Sequence, residues 1–140
     1  MRPVHRIAEN NEKIAGRRAM ESEQALAAQE ARLRELRDYR DQYARRFESA
    51  GCLDAFRMHD YRTFLARLND AIQQQQQVVE QVRSRHRQTQ EEWLASRTHT
   101  QAVDKLIQRF REEERVSERR REQRVSDERA ILTRDTSDKT

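Results

Sequence analysis

The side chains that could do chemistry in this chain are few and far apart. His59 and Asp60 are neighbours. Acid–base or metal chemistry would need more ligands converging on the same point. Paired helices offer no enclosed pocket to gather them, so the pair reads as a solvated turn. His86 is expected to be a tolerated polar layer in a helix seam rather than a pH switch. Cys52 is the only cysteine, so it cannot form an internal disulfide. Its thiolate would need a cationic or His-paired setting, and Arg46 or Arg57 nearby in sequence does not establish one. It is expected to be exposed in a turn. The run Gln73 to Gln77 is a helix surface on which Gln75 alone faces inward. No catalytic residue, cofactor or metal is expected. The chain reads as a non-enzymatic protein.

The elements that carry these residues follow from composition. Of 140 residues, 54 are charged and 34% are hydrophobic. An ordinary domain has about 45–50% apolar residues. Leu, Ile, Val and Phe together make 25, too few for a normal core. Disorder would require a high net charge, and here it is only +4. Ala, Glu, Lys, Leu and Arg supply 69 residues, with two Gly and one Pro to interrupt them. That balance points to long helices or coiled coil.

A break is expected around 48–56. Gly51 can take the positive φ that ends a helix, and Asp54 can cap the next. Gly16 falls inside a helical pattern, where it costs about 1 kcal/mol relative to Ala without breaking the helix. From Tyr61, steps of four and three pass through Leu65, Leu68, Ile72, Gln75, Val79, Val82, His86, Thr89, Trp93, Ser96, Thr100, Val103, Ile107 and Phe110. This is the 3.5-residue repeat of a coiled-coil seam. In the first helix Leu26, Gln29, Leu33, Leu36, Arg40, Tyr43 and Phe47 share such a register. Val4, Ile7 and Ile14 lie one position out of phase, which a stutter before Leu26 would reconcile.

Folded at Gly51, the stripes match. Tyr43 faces Tyr61, Leu36 faces Leu68 and Gln29 faces Gln75; beyond the stutter Ile14 faces Trp93, Ile7 faces Thr100 and Val4 faces Val103. The expected fold is all-α, an antiparallel two-helix coiled-coil hairpin with a longer second helix. One continuous helix in a parallel dimer is the alternative, and Gly51 argues against it. The chain reads as a single coiled-coil domain over 1–140, with a helix at about 3–47, a turn at about 48–56, a helix at about 57–132 and a frayed tail at 133–140.

Past Phe110 the second helix has no apolar face. Residues 111–130 carry seven Arg and seven acids. Pairs such as Arg115 with Glu118 are worth a few tenths of a kcal/mol each. Such a helix is an exposed single helix or a surface for a partner. Its neutrality argues against nucleic acid, which requires a net positive stretch for counterion release. The short cluster Arg83, Arg85 and Arg87 lies within the hairpin. The longest apolar run, Ala25–Ala28, is far below the roughly 20 residues that span a bilayer. The start MRPVHRIAEN lacks the apolar stretch of a secretory signal. A cytosolic protein is the simplest reading.

Six of the eight aromatics fall between Tyr39 and Phe64: Tyr39, Tyr43, Phe47, Phe56, Tyr61 and Phe64. Tyr43, Phe47 and Tyr61 fit the seam, while Tyr39, Phe56 and Phe64 sit off it or on its flank. They either cover the turn or form an exposed patch for a partner. Leu68 and Ala71 continue the Phe64 row.

The order of these motifs resembles the flagellar FliJ family. It is carried by Asp38-Tyr39 followed by Tyr43, the glycine-bearing turn, then Tyr61, Phe64-Leu65, Leu68 and Ala71-Ile72. Further on come Ala102 to Leu106 with Arg109, Glu113-Glu114, Glu118 to Gln123 and Asp127-Glu128. The resemblance covers nearly the whole chain. It implies a component of the bacterial flagellar type III export apparatus, built as an antiparallel two-helix rod. It implies that the ends, about 1–20 and 103–132, enter a hexameric export ATPase. The residues expected there are Val103, Leu106, Ile107, Phe110, Arg115, Glu118, Arg119 and Glu122. It implies that Tyr39, Tyr43, Phe64, Leu68 and Ala71 lie on or beside a surface for the membrane-embedded export gate. It further implies escort of export chaperones, a monomer when free, and a place at the cytoplasmic face of the membrane through partners alone. The stalk of a virulence-type injectisome and a generic coiled-coil scaffold are the rival readings.

Overall fold

The computed structural model describes residues 2–51 and 54–138. Two α-helices account for nearly all of them: α1, Arg2–Ser49, and α2, Ala55–Asp138. They pack against each other as a hairpin, and at 84 residues against 48 the second is the longer. α2 runs on to Asp138. The Thr133, Thr136 and Ser137 hydroxyls donate to the carbonyls of Arg129, Leu132 and Arg134, tying side chains into the last turns.

The turn follows from three residues. Ala50 N donates to the carbonyls of Arg46 and Phe47, at 3.1 and 3.3 Å, and closes α1. Gly51 has φ +73°, a left-handed backbone that only a residue without Cβ adopts freely. Asp54 Oδ1 accepts a hydrogen bond from Arg57 N at 2.8 Å, satisfying one of the free donors at the start of α2. These features end one helix and start another, so the continuous-helix alternative fails. Cys52 and Leu53, with the expected exposure of Cys52, lie outside the described residues.

The contacts form two compact units: residues 11–96, and residues 2–10 with 97–138. Within 11–96 the core is Leu33, Leu68, Ile72 and Val79, flanked by Leu26, Leu36 and Phe64. Burying each such side chain contributes about 1.5–3 kcal/mol. Every α2 position in the expected seam, from Tyr61 to Ser96, is buried or half-buried. Of the five-glutamine run only Gln75 is buried. Its Nε2 donates to Gln29 Oε1 at 2.8 Å and to the Gln29 carbonyl at 3.0 Å.

The first part of α1 departs from expectation. Val4, Ile7 and Ile14 are 55%, 60% and 46% exposed. The inward positions are instead His5, Ala8, Glu12, Ala15, Ala19 and Ser22, all buried or half-buried. They continue the Leu26 register in unbroken steps of three and four, so there is no stutter. Trp93 meets Gly16 rather than Ile14, its Nε1 only 3.1 Å from where a Gly16 Cβ would stand. Large α2 side chains need small α1 partners here. Gly16 leaves room for the indole that a larger side chain at that position would deny.

Ser22 anchors a second polar layer. Its hydroxyl donates to the Ala19 carbonyl at 2.8 Å and lies 2.6 Å from Thr89 Oγ1 and 3.1 Å from His86 Nδ1. Thr89 donates to the His86 carbonyl at 3.0 Å. His86 is thus a partnered member of the seam.

In the other unit, Ala8 and Val103 are buried, and Thr100 Oγ1 donates to the Ala8 carbonyl at 3.3 Å. His5 Nε2 contacts Asp104 Oδ1 directly and lies 3.5 Å from Glu9 Oε1. Ile107 is the last half-buried seam residue. From Gln108 to Ser137 every side chain is exposed.

Candidate partner-binding surfaces

Three surfaces stand out, each built by a simple local cause. The first lies next to the turn, where seam positions are occupied by aromatic rings instead of aliphatics. Phe47 and Tyr61 stack with centroids 3.7 Å apart, and Tyr43 stacks on Tyr61 at 5.4 Å. Phe64 leans on Tyr43 at 4.4 Å, and Tyr39 meets the edge of Phe64 at 6.1 Å. Offset and edge contacts of this kind add about 0.5–1.5 kcal/mol beyond burial. Phe64 therefore turns toward the seam. Of the six clustered aromatics, Tyr39 is 49% exposed and Phe56 is 74% exposed. A shallow cleft between Tyr43, Phe47 and Tyr61 is rimmed by Arg46, Arg57 and Asp60. His59 and Asp60 are exposed in the opening turns of α2.

The residues expected at a gate surface are thus unequal. Tyr39 is open. Tyr43, Phe64 and Ala71 are half-buried. Leu68 is buried with Leu33 and Ile72, so it presents little to a partner.

The second surface is a groove between the first turns of α1 and the stretch of α2 around Ile107. It is lined by Pro3, Ile107 and Phe110 and by Arg2, Arg6, Arg111, Glu9, Asp104 and Glu114. Its apolar floor is bordered by both signs of charge. Among the residues expected to meet an ATPase, Val103 is buried, Ile107 is half-buried, and Leu106 and Phe110 are exposed.

The third surface is α2 past Phe110. Arg115, Glu118, Arg119 and Glu122 are all exposed there. Arg115 pairs with Glu112, Nη2 to Oε2 at 3.8 Å, one turn before it rather than with Glu118 after it. At this exposure the pair adds little stability.

Among the described residues, no group of three His, Cys, Asp or Glu is placed to hold a metal ion, and no helix is long and apolar enough to cross a membrane. Sequence reasoning missed His5, Ala15, Gly16, Ala19 and Ser22 as seam residues. The signal was available: the steps of three and four, carried backward from Leu26 without a break, pass through Ser22, Ala19, Ala15 and His5, with Gly16 beside Ala15. Attention to large aliphatics hid it.

The three surfaces are helical faces, one aromatic, one a mixed groove and one charged. Neither a curated protein nor a solved structure matches the chain. The family model described as "Flagellar FliJ protein" matches residues 1–135. The chain belongs to the flagellar FliJ family, and is a non-enzymatic, coiled-coil stalk component of the flagellar type III export apparatus.

Proposed function

We propose that this chain couples the hexameric export ATPase to the membrane-embedded export gate and escorts export chaperones. The ends of the chain, about 1–20 and 103–132, engage the ATPase. The aromatic surface beside the turn, with Tyr39 at its open edge, engages the gate. When free the protein is a monomer. It acts at the cytoplasmic face of the membrane at the flagellar base and reaches the membrane only through partners.

The carrying observation is the state of α2 past Ile107. Residues 108–137 are helical and exposed on all sides. That is a stretch of roughly 45 Å. A helix with no apolar stripe gains nothing from packing within its own chain, so its sequence suits a partner or solvent. Beside it, Val4, Ile7, Leu106 and Phe110 are exposed apolar side chains at the same end of the paired region. Together they provide an apolar anchor and a charged extension for one partner.

The test is co-purification of the full chain with the flagellar export ATPase. Deletion of 111–132 is expected to abolish the association. Undiminished association would overturn the assignment. Sedimentation of the free chain is expected to give a monomer; a tight dimer would sink that part of the reading.

A further inference from the structure

The bare stretch of α2 contains a repeat. Glu113-Glu114-Arg115-Val116-Ser117-Glu118-Arg119-Arg120 is followed nine residues later by Glu122-Gln123-Arg124-Val125-Ser126-Asp127-Glu128-Arg129. Five of the eight positions are identical: the leading Glu, the Arg-Val-Ser core and the final Arg. The structure makes the repetition three-dimensional. A shallow notch surrounds Val116, and it includes Glu113, Ser117 and Arg120. A second notch surrounds Val125, with Glu122, Ser126 and Arg129 at the same offsets. Both valines are exposed, at 38% and 47%.

Nine residues are two and a half turns of an α-helix, or about 13.5 Å of rise. The repeated residues, Val116 and Val125 with their neighbours, therefore lie on opposite sides of α2, with Arg121 lining both notches between them. A helix that serves a partner along one side would repeat itself every seven or eleven residues and keep its contacts on that side. A nine-residue repeat does the reverse and offers the same surface to both sides.

We propose that α2 past Phe110 is gripped from opposite sides by two identical subunits of one oligomeric partner, staggered along the helix by about 13.5 Å. Each subunit takes one notch. Its contact surface carries a small apolar group against Val116 or Val125, a cation opposite the leading Glu and an anion opposite the final Arg. The order of charges along the helix fixes its direction in the complex. This rests on the reading that 103–132 engages the ATPase hexamer, whose identical subunits are the occupants.

Affinity of the full-length chain for the purified ATPase tests it. One variant swaps charges in the first notch, Glu113→Arg with Arg120→Glu. A second does so in the other, Glu122→Arg with Arg129→Glu. Neither changes net charge, and circular dichroism verifies that the helix persists. Each is expected to weaken binding about tenfold, and the combination about a hundredfold. A third variant inserts two alanines between Arg120 and Arg121. It keeps the repeated residues of each notch, Glu113 to Arg120 and Glu122 to Arg129, and brings the two sets onto nearly the same face, and it is expected to weaken binding about as much as losing one notch. If only one charge swap matters, the helix is held on one face and the proposal fails while ATPase engagement stands. If each single swap is tolerated and only the combination fails, one acceptor uses either notch and the two-subunit arrangement is wrong. Undiminished binding after the alanine insertion would also overturn it. If deletion of 111–132 has no effect, the ATPase reading falls with it.

Discussion

Trp93 lies against Gly16, with its indole Nε1 3.1 Å from the point where a Gly16 Cβ would stand. The contact explains a glycine in the interior of a 48-residue helix. Alanine there favours the helix by about 1 kcal/mol, but its methyl group must push the indole by a few tenths of an ångström. The two effects oppose, so Gly16→Ala is expected to change stability by less than about 1 kcal/mol. Gly16→Leu overfills the site and is expected to destabilise by about 1–3 kcal/mol. Trp93 is the only tryptophan, so its fluorescence reports the displacement directly. Emission should shift to the red in Gly16→Leu and stay near the parent in Gly16→Ala.

Burial ranks the aliphatic side chains differently from hydrophobicity. Ile72 is 4% exposed in the core, whereas Ile7 is 60% exposed. Ile72→Ala is expected to cost about 2–4 kcal/mol through lost burial and a residual cavity. Ile7→Ala should stay within about 0.5 kcal/mol. Urea denaturation of the two variants checks the order. Equal losses would mean that the first turns of α1 pack through Ile7 after all.

Gln75 and Gln29 form a closed polar layer in an otherwise apolar stretch. Removing one partner leaves the other's amide without its bond, while replacing both removes the need for it. Gln75→Leu alone is expected to lower thermal stability. Gln29→Leu with Gln75→Leu together should raise it, with weaker control of register. A thermal melt of the single and double variants decides this, and a double variant less stable than the single would refute it.

The turn depends on two residues with separate roles. Asp54→Ala removes the helix cap and is expected to cost about 1 kcal/mol. Gly51→Ala has no neighbour within 4 Å to clash with, so its cost, also about 1 kcal/mol, comes from the left-handed backbone alone. Gly51→Asn should recover part of that loss, because Asn tolerates this conformation better. Chemical denaturation distinguishes the three, and an Asn variant no better than Ala would exclude the backbone explanation.

The proposed gate surface is best probed where side chains are open. Tyr39→Ala with Phe56→Ala removes exposed rings and should weaken gate binding with a change in stability below about 1 kcal/mol. Leu68→Ala opens the core and is expected to cost about 2–4 kcal/mol. Any effect of Leu68→Ala on gate binding would therefore mix surface and stability. Pull-down with the gate protein alongside a thermal melt separates them. Full gate binding by the Tyr39 and Phe56 double variant would remove these rings from the interface.

Much of this fold was legible in the chain itself. Every position that the repeat named in α2 from Tyr61 to Ile107 is buried or half-buried, because one narrow apolar stripe allows one orientation of the helix. Gly51 and Asp54 marked the turn, since a left-handed backbone and a helix cap each require particular residue types. The bare, charged extension could also be read, because residues 111–130 form no continuous apolar stripe. Before Leu26 the chain carries two competing registers for α1, and tertiary structure chose between them. There the large aliphatics and the seam disagree, and the seam prevails. The inward face of α1 is chosen by what α2 brings to it: an indole against Gly16, and an imidazole and a hydroxyl against Ser22. The same holds for Phe64, whose row along α2 was visible, while its turn toward the seam depended on Tyr43 across the hairpin. One helix can state its own period, but shape complementarity belongs to the pair.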